Sequence, residues 1–133
     1  MSQIVFEIRM KVRDYECDTQ GIVNNANYLH YMEHTRHEFL ESLGASFLEL
    51  QKQKIDPVVS RIDIQYKASL IGSESFISRL KVSKKGVKLL FEQEIYKETD
   101  NQLCIKAQVE VVILENGKLT RGDYFDHLLK KYL

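Results

Sequence analysis

The sequence predicts an α+β domain in which a curved antiparallel β-sheet wraps around one long central α-helix. Three observations carry that reading. Only one stretch, starting near residue 25, sustains apolar residues at three- and four-residue steps over several turns. One segment before it and four or so after it alternate apolar and polar residues, the period of half-buried strands. No linker, internal repeat or change of composition divides the 133 residues, so helix and sheet must cover each other within a single domain, 1–133.

Residues 4–13 place Ile4, Phe6, Ile8, Met10 and Val12 on one side of the first strand. A polar loop, 14–24, follows, with Asp18, Thr19 and Gly21 as turn-forming residues. Tyr28, Met32, Thr35, Phe39 and Leu43 then mark one face of an amphipathic helix of roughly five turns that ends at Gly44. A short helix is expected within 45–54, before Asp56 and the lone proline, Pro57, which reads as a boundary. Strands are expected at 58–66, 75–83, 87–97 and 103–114, separated by a break at Ile71-Gly72-Ser73 and turns at 99–102 and 115–118. A terminal helix at 123–133 would be capped by Asp123. The outer face of such a sheet needs cover, and a second copy is the simplest source, so a homo-oligomer is expected.

Composition narrows the function. Nineteen Lys and Arg balance nineteen Asp and Glu, so no overall positive field gathers nucleic acid or an anionic membrane surface. No apolar run approaches the 18 or so residues of a spanning helix, and the first residues, Met1-Ser2-Gln3-Ile4, do not read as a leader. Cys17 and Cys104 lack zinc or redox spacing, which points to a reduced, cytoplasmic protein with no cofactor.

The segment from Asp18 to Leu29, DTQGIVNNANYL, carries the chemistry. Gly21 permits a tight turn, and Asn24 is a good N-cap whose side chain can hold one of the orphan amides of the helix. The first amides of the helix then point outward beside the Asp18 carboxylate. Such amides can polarise a carbonyl and stabilise an oxyanion while the carboxylate attacks or activates water, which is half of an acyl-transfer site. From spacing alone, Asp18 reads more readily as a loop carboxylate that caps the helix or a turn.

This segment resembles the signature of hotdog-fold acyl-CoA thioesterases, the 4-hydroxybenzoyl-CoA thioesterase-like superfamily. Val12-Arg13-Asp14-Tyr15 before it, Tyr31-Met32-Glu33 and Arg36 after it, and Pro57-Val58-Val59 running into Ile62-Asp63-Ile64-Gln65-Tyr66 match the same layout, so the resemblance covers nearly the whole chain. It implies a hotdog fold, a dimer or a tetramer built as a dimer of dimers, and hydrolysis of an acyl-CoA or acyl-carrier-protein thioester. Asp18 matches the catalytic carboxylate, acting as nucleophile or general base, and the backbone amide of Asn25 matches the group that polarises the carbonyl. The histidines that some branches carry at the positions of Ile22 or Asn25 are absent, and an asparagine cannot act as a base near neutral pH. The resemblance also implies an active site between subunits. A hotdog dehydratase would need a differently placed His or Glu, and a non-catalytic binding protein would bind acyl thioesters without turnover.

Asn24, Tyr28 and Glu33 are the expected substrate neighbours on the loop and helix. Lys84 and Lys85, in the densest basic cluster, are expected to meet CoA phosphates, with Arg61 as a further contact and Lys67 and Arg79 as weaker ones. His30, His34 and His37 share a helix face at i, i+4 and i+7 but read as its polar side rather than a metal site. Tyr66, Phe76, Phe91 and Tyr96 suit either an acyl pocket or ordinary core, and Cys17, with no paired base, reads as an incidental thiol.

Overall fold

The computed structural model describes residues 4–133; the expectation about a leader at Met1–Gln3 falls outside the described residues. In chain order the elements are β1 (Phe6–Lys11), α1 (Asn25–Ser42), α2 (Phe47–Lys52), β2 (Ile55–Tyr66), β3 (Ser75–Lys85), β4 (Lys88–Lys97), β5 (Leu103–Glu115), β6 (Lys118–Thr120) and α3 (Asp123–Leu128). A single 3₁₀ turn, Asp14–Glu16, lies between β1 and α1. The strands form one antiparallel sheet in the order β1-β3-β4-β5-β2, with β6 paired to the end of β5.

Alternation along β3, β4 and β5 puts Phe76, Leu80, Val82, Leu89, Phe91, Ile95, Ile105, Val109, Val111 and Ile113 on the inner face, buried with Tyr28, Tyr31, Met32, Phe39 and Leu40 of α1. Burying this apolar surface against the helix is the main favourable term of the fold. Two polar clamps fix the register of helix on sheet. The Thr35 hydroxyl donates to Tyr31 O at 2.8 Å and lies 2.7 Å from the Ser78 hydroxyl. Arg36 donates to Gln93 Oε1 at 2.9 Å, and Gln93 donates onward to Met32 O at 3.0 Å.

Several expectations change in the structure. The outer face of the sheet is mixed rather than uniformly apolar, with Arg79, Lys81, Glu92, Glu94, Lys106 and Gln108 beside partly exposed Ile77, Leu90, Tyr96 and Val112. Pro57 is not a boundary: β2 runs through it from Ile55, because an edge strand has one unpaired side on which a missing N–H costs nothing. Gly122, not Asp123, is the N-cap of α3, and it must be glycine. Its φ is +75°, and an added Cβ would come within 3.1 Å of Ile113. The terminal helix is also shorter than expected, although Phe125 and Leu129 still close the core beside Phe39. Strand β6 has no counterpart in the sequence reading, being only three residues long.

Candidate active site

The loop between β1 and α1 is built as a small closed tongue. Cys17 and Val23 form an antiparallel bridge, the Asp18 amide donates to Ile22 O at 2.9 Å, and the Gly21 amide donates to Asp18 O at 3.0 Å. Gly21 adopts φ +80°, the left-handed turn that glycine was expected to supply. At the tip, Asp18 is exposed. Its Oδ1 accepts from the Gln20 amide at 2.8 Å, and its second oxygen has no partner among the described residues. A second segment braces the tongue: Ile22 bridges Ile71, and the Val23 amide donates to Leu70 O at 2.9 Å.

Asn24 caps α1 as its residue type predicts, with Oδ1 accepting from the Ala26 amide at 2.9 Å. Asn25, the first helical residue, is exposed, and its amide has no hydrogen-bond partner among the described residues. It therefore stands at the positive end of an 18-residue helix with its N–H uncommitted. The arrangement puts an exposed carboxylate on the tongue and an unused amide donor on the helix that the tongue leads into.

Beneath these two groups the polar atoms are paired. The Glu16 carboxylate accepts from Tyr31 Oη at 2.8 Å, from the Arg13 amide at 2.8 Å and from Arg13 Nη1 at 3.1 Å. Burial and the Glu16 hydrogen bond push the Tyr31 phenol far above its ordinary range. Tyr28, expected near substrate, is buried, and its hydroxyl accepts from the Leu70 amide at 2.9 Å, tying the bracing segment to the helix. Tyr66 reaches over the helix start from β2, its hydroxyl donating to Asn25 O at 3.3 Å. Cys17 is a poor nucleophile: burial raises its thiol first, and the nearby acids Asp14, Asp18 and Glu16 raise it further.

Farther along α1, Glu33, Arg36 and His37 border a cavity of about 380 Å³ whose remaining walls include Leu40, Leu50, Ile55, Leu89, Phe91 and Val111. Phe91 thus faces this cavity, whereas Phe76 is packed in the core and Tyr96 lies on the outer face under the Arg79 guanidinium. Desolvation lowers the pKa of buried Arg36 below its ordinary value. His30 pairs with Asn27 and His34 with Glu38, so the helix-face histidines are divided among separate partners.

The basic residues sit elsewhere. Lys84 is held by Asp126 and by Arg121 O, while Lys85 and Lys88 converge on Glu110 at 2.9 and 3.1 Å. Within one chain they lie toward the C-terminal end of a helix about 27 Å long, and Asp18 lies at the other end. Arg61 is exposed on β2 just past a bulge, with no side-chain partner among the described residues.

A family model described as the thioesterase-like superfamily matches residues 12–128. The chain belongs to the thioesterase-like superfamily. This thioesterase is 35% identical over 134 residues to acyl-acyl carrier protein thioesterase ATL2, chloroplastic, of Arabidopsis thaliana, covering 96% of its own length and 71% of the relative's. It is 30% identical to acyl-CoA thioesterase YbgC of Haemophilus influenzae, over 86% of its own length and 84% of the relative's. A solved structure from Aquifex aeolicus superimposes with a TM-score of 0.86 at 28% identity, covering 93% of this chain and 98% of that one. The architecture is the hotdog fold, and the reaction class is thioester hydrolysis.

Proposed function

We propose that this thioesterase hydrolyses an acyl-CoA to a free carboxylic acid and CoA, with Asp18 as its catalytic carboxylate and the Asn25 amide as its oxyanion donor. The observation that carries the proposal is a pair of groups with no partner among the described residues, one exposed Asp18 oxygen and the Asn25 N–H, beside a tongue whose backbone is closed by its own hydrogen bonds. Asp18 either attacks the thioester carbon, so that the C–S bond breaks and water then hydrolyses the acyl-aspartyl anhydride, or takes a proton from water that attacks that carbon. In both routes negative charge gathers on the carbonyl oxygen, where the Asn25 N–H donates, and the leaving thiolate takes up a proton. The relative in Haemophilus influenzae named an acyl-CoA thioesterase supports CoA as the carrier, and the one in Arabidopsis thaliana keeps acyl-carrier protein as the second reading.

The acyl group suits the cavity walled by Leu40, Leu50, Ile55, Leu89, Phe91 and Val111, with Glu33 at its border. Because that cavity lies along α1 away from the Asp18 end of the same chain, the complete site is a joint one: Asp18 from one copy and the cavity of a second. The edge strand β2, with Val58, Val59, Ile62 and Tyr66 exposed along it, is the surface that supports pairing with that copy as a homodimer or within a homotetramer. Arg61, on this strand and without a side-chain partner among the described residues, is the residue best disposed to meet a CoA phosphate. Lys84 and Lys85 could do so only by leaving Asp126 and Glu110. No described helix is long and apolar enough to cross a membrane, and the reading is of a cytoplasmic enzyme that needs no cofactor or nucleic acid.

The test is thiol release from short, long and aromatic acyl-CoAs and from matched acyl-carrier proteins, with wild type and Asp18→Asn side by side. Turnover that falls by at least about 10²-fold in the variant supports the reading. Undiminished turnover in Asp18→Asn removes Asp18 from the reaction, and preference for the carrier protein moves the substrate to the second reading. Dilution to monomer should abolish activity if the site is shared.

A further inference from the structure

We infer that Glu16 is the positioning residue of this site: it sets the gap between the Asp18 carboxylate and the Asn25 amide, with Tyr31 as its anchor on the helix. The inference rests on the functional reading above. Glu16 is only 8% exposed, and its two ends serve the two halves of the site. Its carbonyl accepts from the Asn24 amide at 3.0 Å and from Asn27 Nδ2 at 2.8 Å, which fixes where α1 begins and therefore where the Asn25 N–H stands. Its carboxylate accepts from Tyr31 Oη, two turns into α1, and from the Arg13 amide and guanidinium at the end of the first strand segment. Asp18 follows two residues later, across the Cys17–Val23 bridge. One residue thus joins strand, tongue and helix by six hydrogen bonds among the described residues, counting its own amide to Arg13 O, and none of them touches the tip where Asp18 is exposed.

A buried carboxylate held by a tyrosine and an arginine is a costly way to close a loop if closure alone is needed, since an apolar residue would fill the same volume without a desolvation penalty. Directional bonds add what apolar packing does not: a fixed distance between two groups carried on different elements. For a reaction that needs the nucleophile over the carbonyl carbon while the oxyanion donor meets the carbonyl oxygen, a misplacement of about 1 Å costs on the order of 10²-fold in rate.

The experiment compares Glu16→Ala, Glu16→Gln and Tyr31→Phe, each alone and in the Asp18→Asn background, for kcat, KM and thermal stability with a hydrolysed acyl-CoA. Positioning predicts that Glu16→Ala and Tyr31→Phe lower kcat by between about tenfold and 10²-fold in folded protein while KM is held. Glu16→Gln, which keeps an acceptor for Tyr31 and the Arg13 amide, should restore most of the rate. In the Asp18→Asn background the same changes should lower the residual rate by less than they lower the wild-type rate, because only the Asn25 amide is left to position. If Glu16→Ala fails to fold, Tyr31→Phe, which removes a single hydroxyl, decides the matter. Variants that melt earlier yet keep wild-type kcat when folded, or losses that add fully to that of Asp18→Asn, overturn the inference. Undiminished turnover in Asp18→Asn alone, or no turnover in wild type, removes the functional reading and the inference with it.

Discussion

The tongue before α1 and the hairpin joining β3 to β4 are both crowded with polar and charged side chains, but their charges are disposed in opposite ways. At the hairpin, Lys85 and Lys88 close on Glu110 and Lys84 closes on Asp126, so positive charge is matched by negative charge within the same chain. At the tongue, the buried polar groups are matched just as fully, Glu16 with Tyr31 and Arg13, but one oxygen of the outermost carboxylate and the first helix amide have no partner among the described residues. Density of charge therefore says little about a binding site. What distinguishes the tongue is a hydrogen-bonded base beneath a carboxylate oxygen and an amide that have no partner among the described residues, the condition for preorganised electrostatic stabilisation.

The comparison is tested most severely by Asp18→Asn, which should lower kcat by at least about 10²-fold while leaving the melting temperature close to wild type. A large loss of stability there would mean that Asp18 belongs with the paired groups. Next in size is the hairpin's contribution to acid stability. Lys85 and Lys88 hold the Glu110 carboxyl below its ordinary range, so its stabilising effect is present at neutral pH and is lost as pH falls through that depressed value. Glu110→Gln should thus melt earlier than wild type at neutral pH, with the two curves converging at acid pH and kcat unaltered. The smallest effect is expected from Lys84→Ala, since a partly exposed ion pair is worth about 1 kcal/mol or less. A raised KM for acyl-CoA with no change in stability would instead put Lys84 on a phosphate and erase the contrast between the two regions.

The features legible in the sequence are the local ones. Period-two and period-3.6 patterns located the strands and α1, and the turn at Gly21 and the cap at Asn24 depend on neighbours within two or three residues. Asp18 was readable as a candidate for the same reason, since its setting is a turn followed by a helix start. What stayed hidden depends on partners far along the chain. Glu16 meets Tyr31 fifteen residues later, Lys85 meets Glu110 across twenty-five, and Arg36 meets Gln93 across fifty-seven. Thr35 fell on the apolar stripe and is buried, but the reason is Ser78, which no helical period can show. Pro57 and Asp123 misled in a related way. The first is allowed by the edge position of β2, and the second gave way to Gly122 because the chain must turn left-handed against Ile113.

The central claim is that the Asn25 backbone amide, rather than its side chain, completes the site with Asp18, and a proline tests it most directly. Proline is accommodated at the first position of a helix, and Asn24 already has the extended backbone that a following proline requires, with φ −62° and ψ 136°. Asn25→Pro therefore deletes the N–H with little disturbance, while Asn25→Ala keeps it. The account predicts that acyl-CoA hydrolysis by Asn25→Pro falls about 10²- to 10³-fold and that Asn25→Ala stays near wild type. A folded Asn25→Pro enzyme with wild-type turnover, or an Asn25→Ala enzyme as impaired as the proline variant, would contradict it.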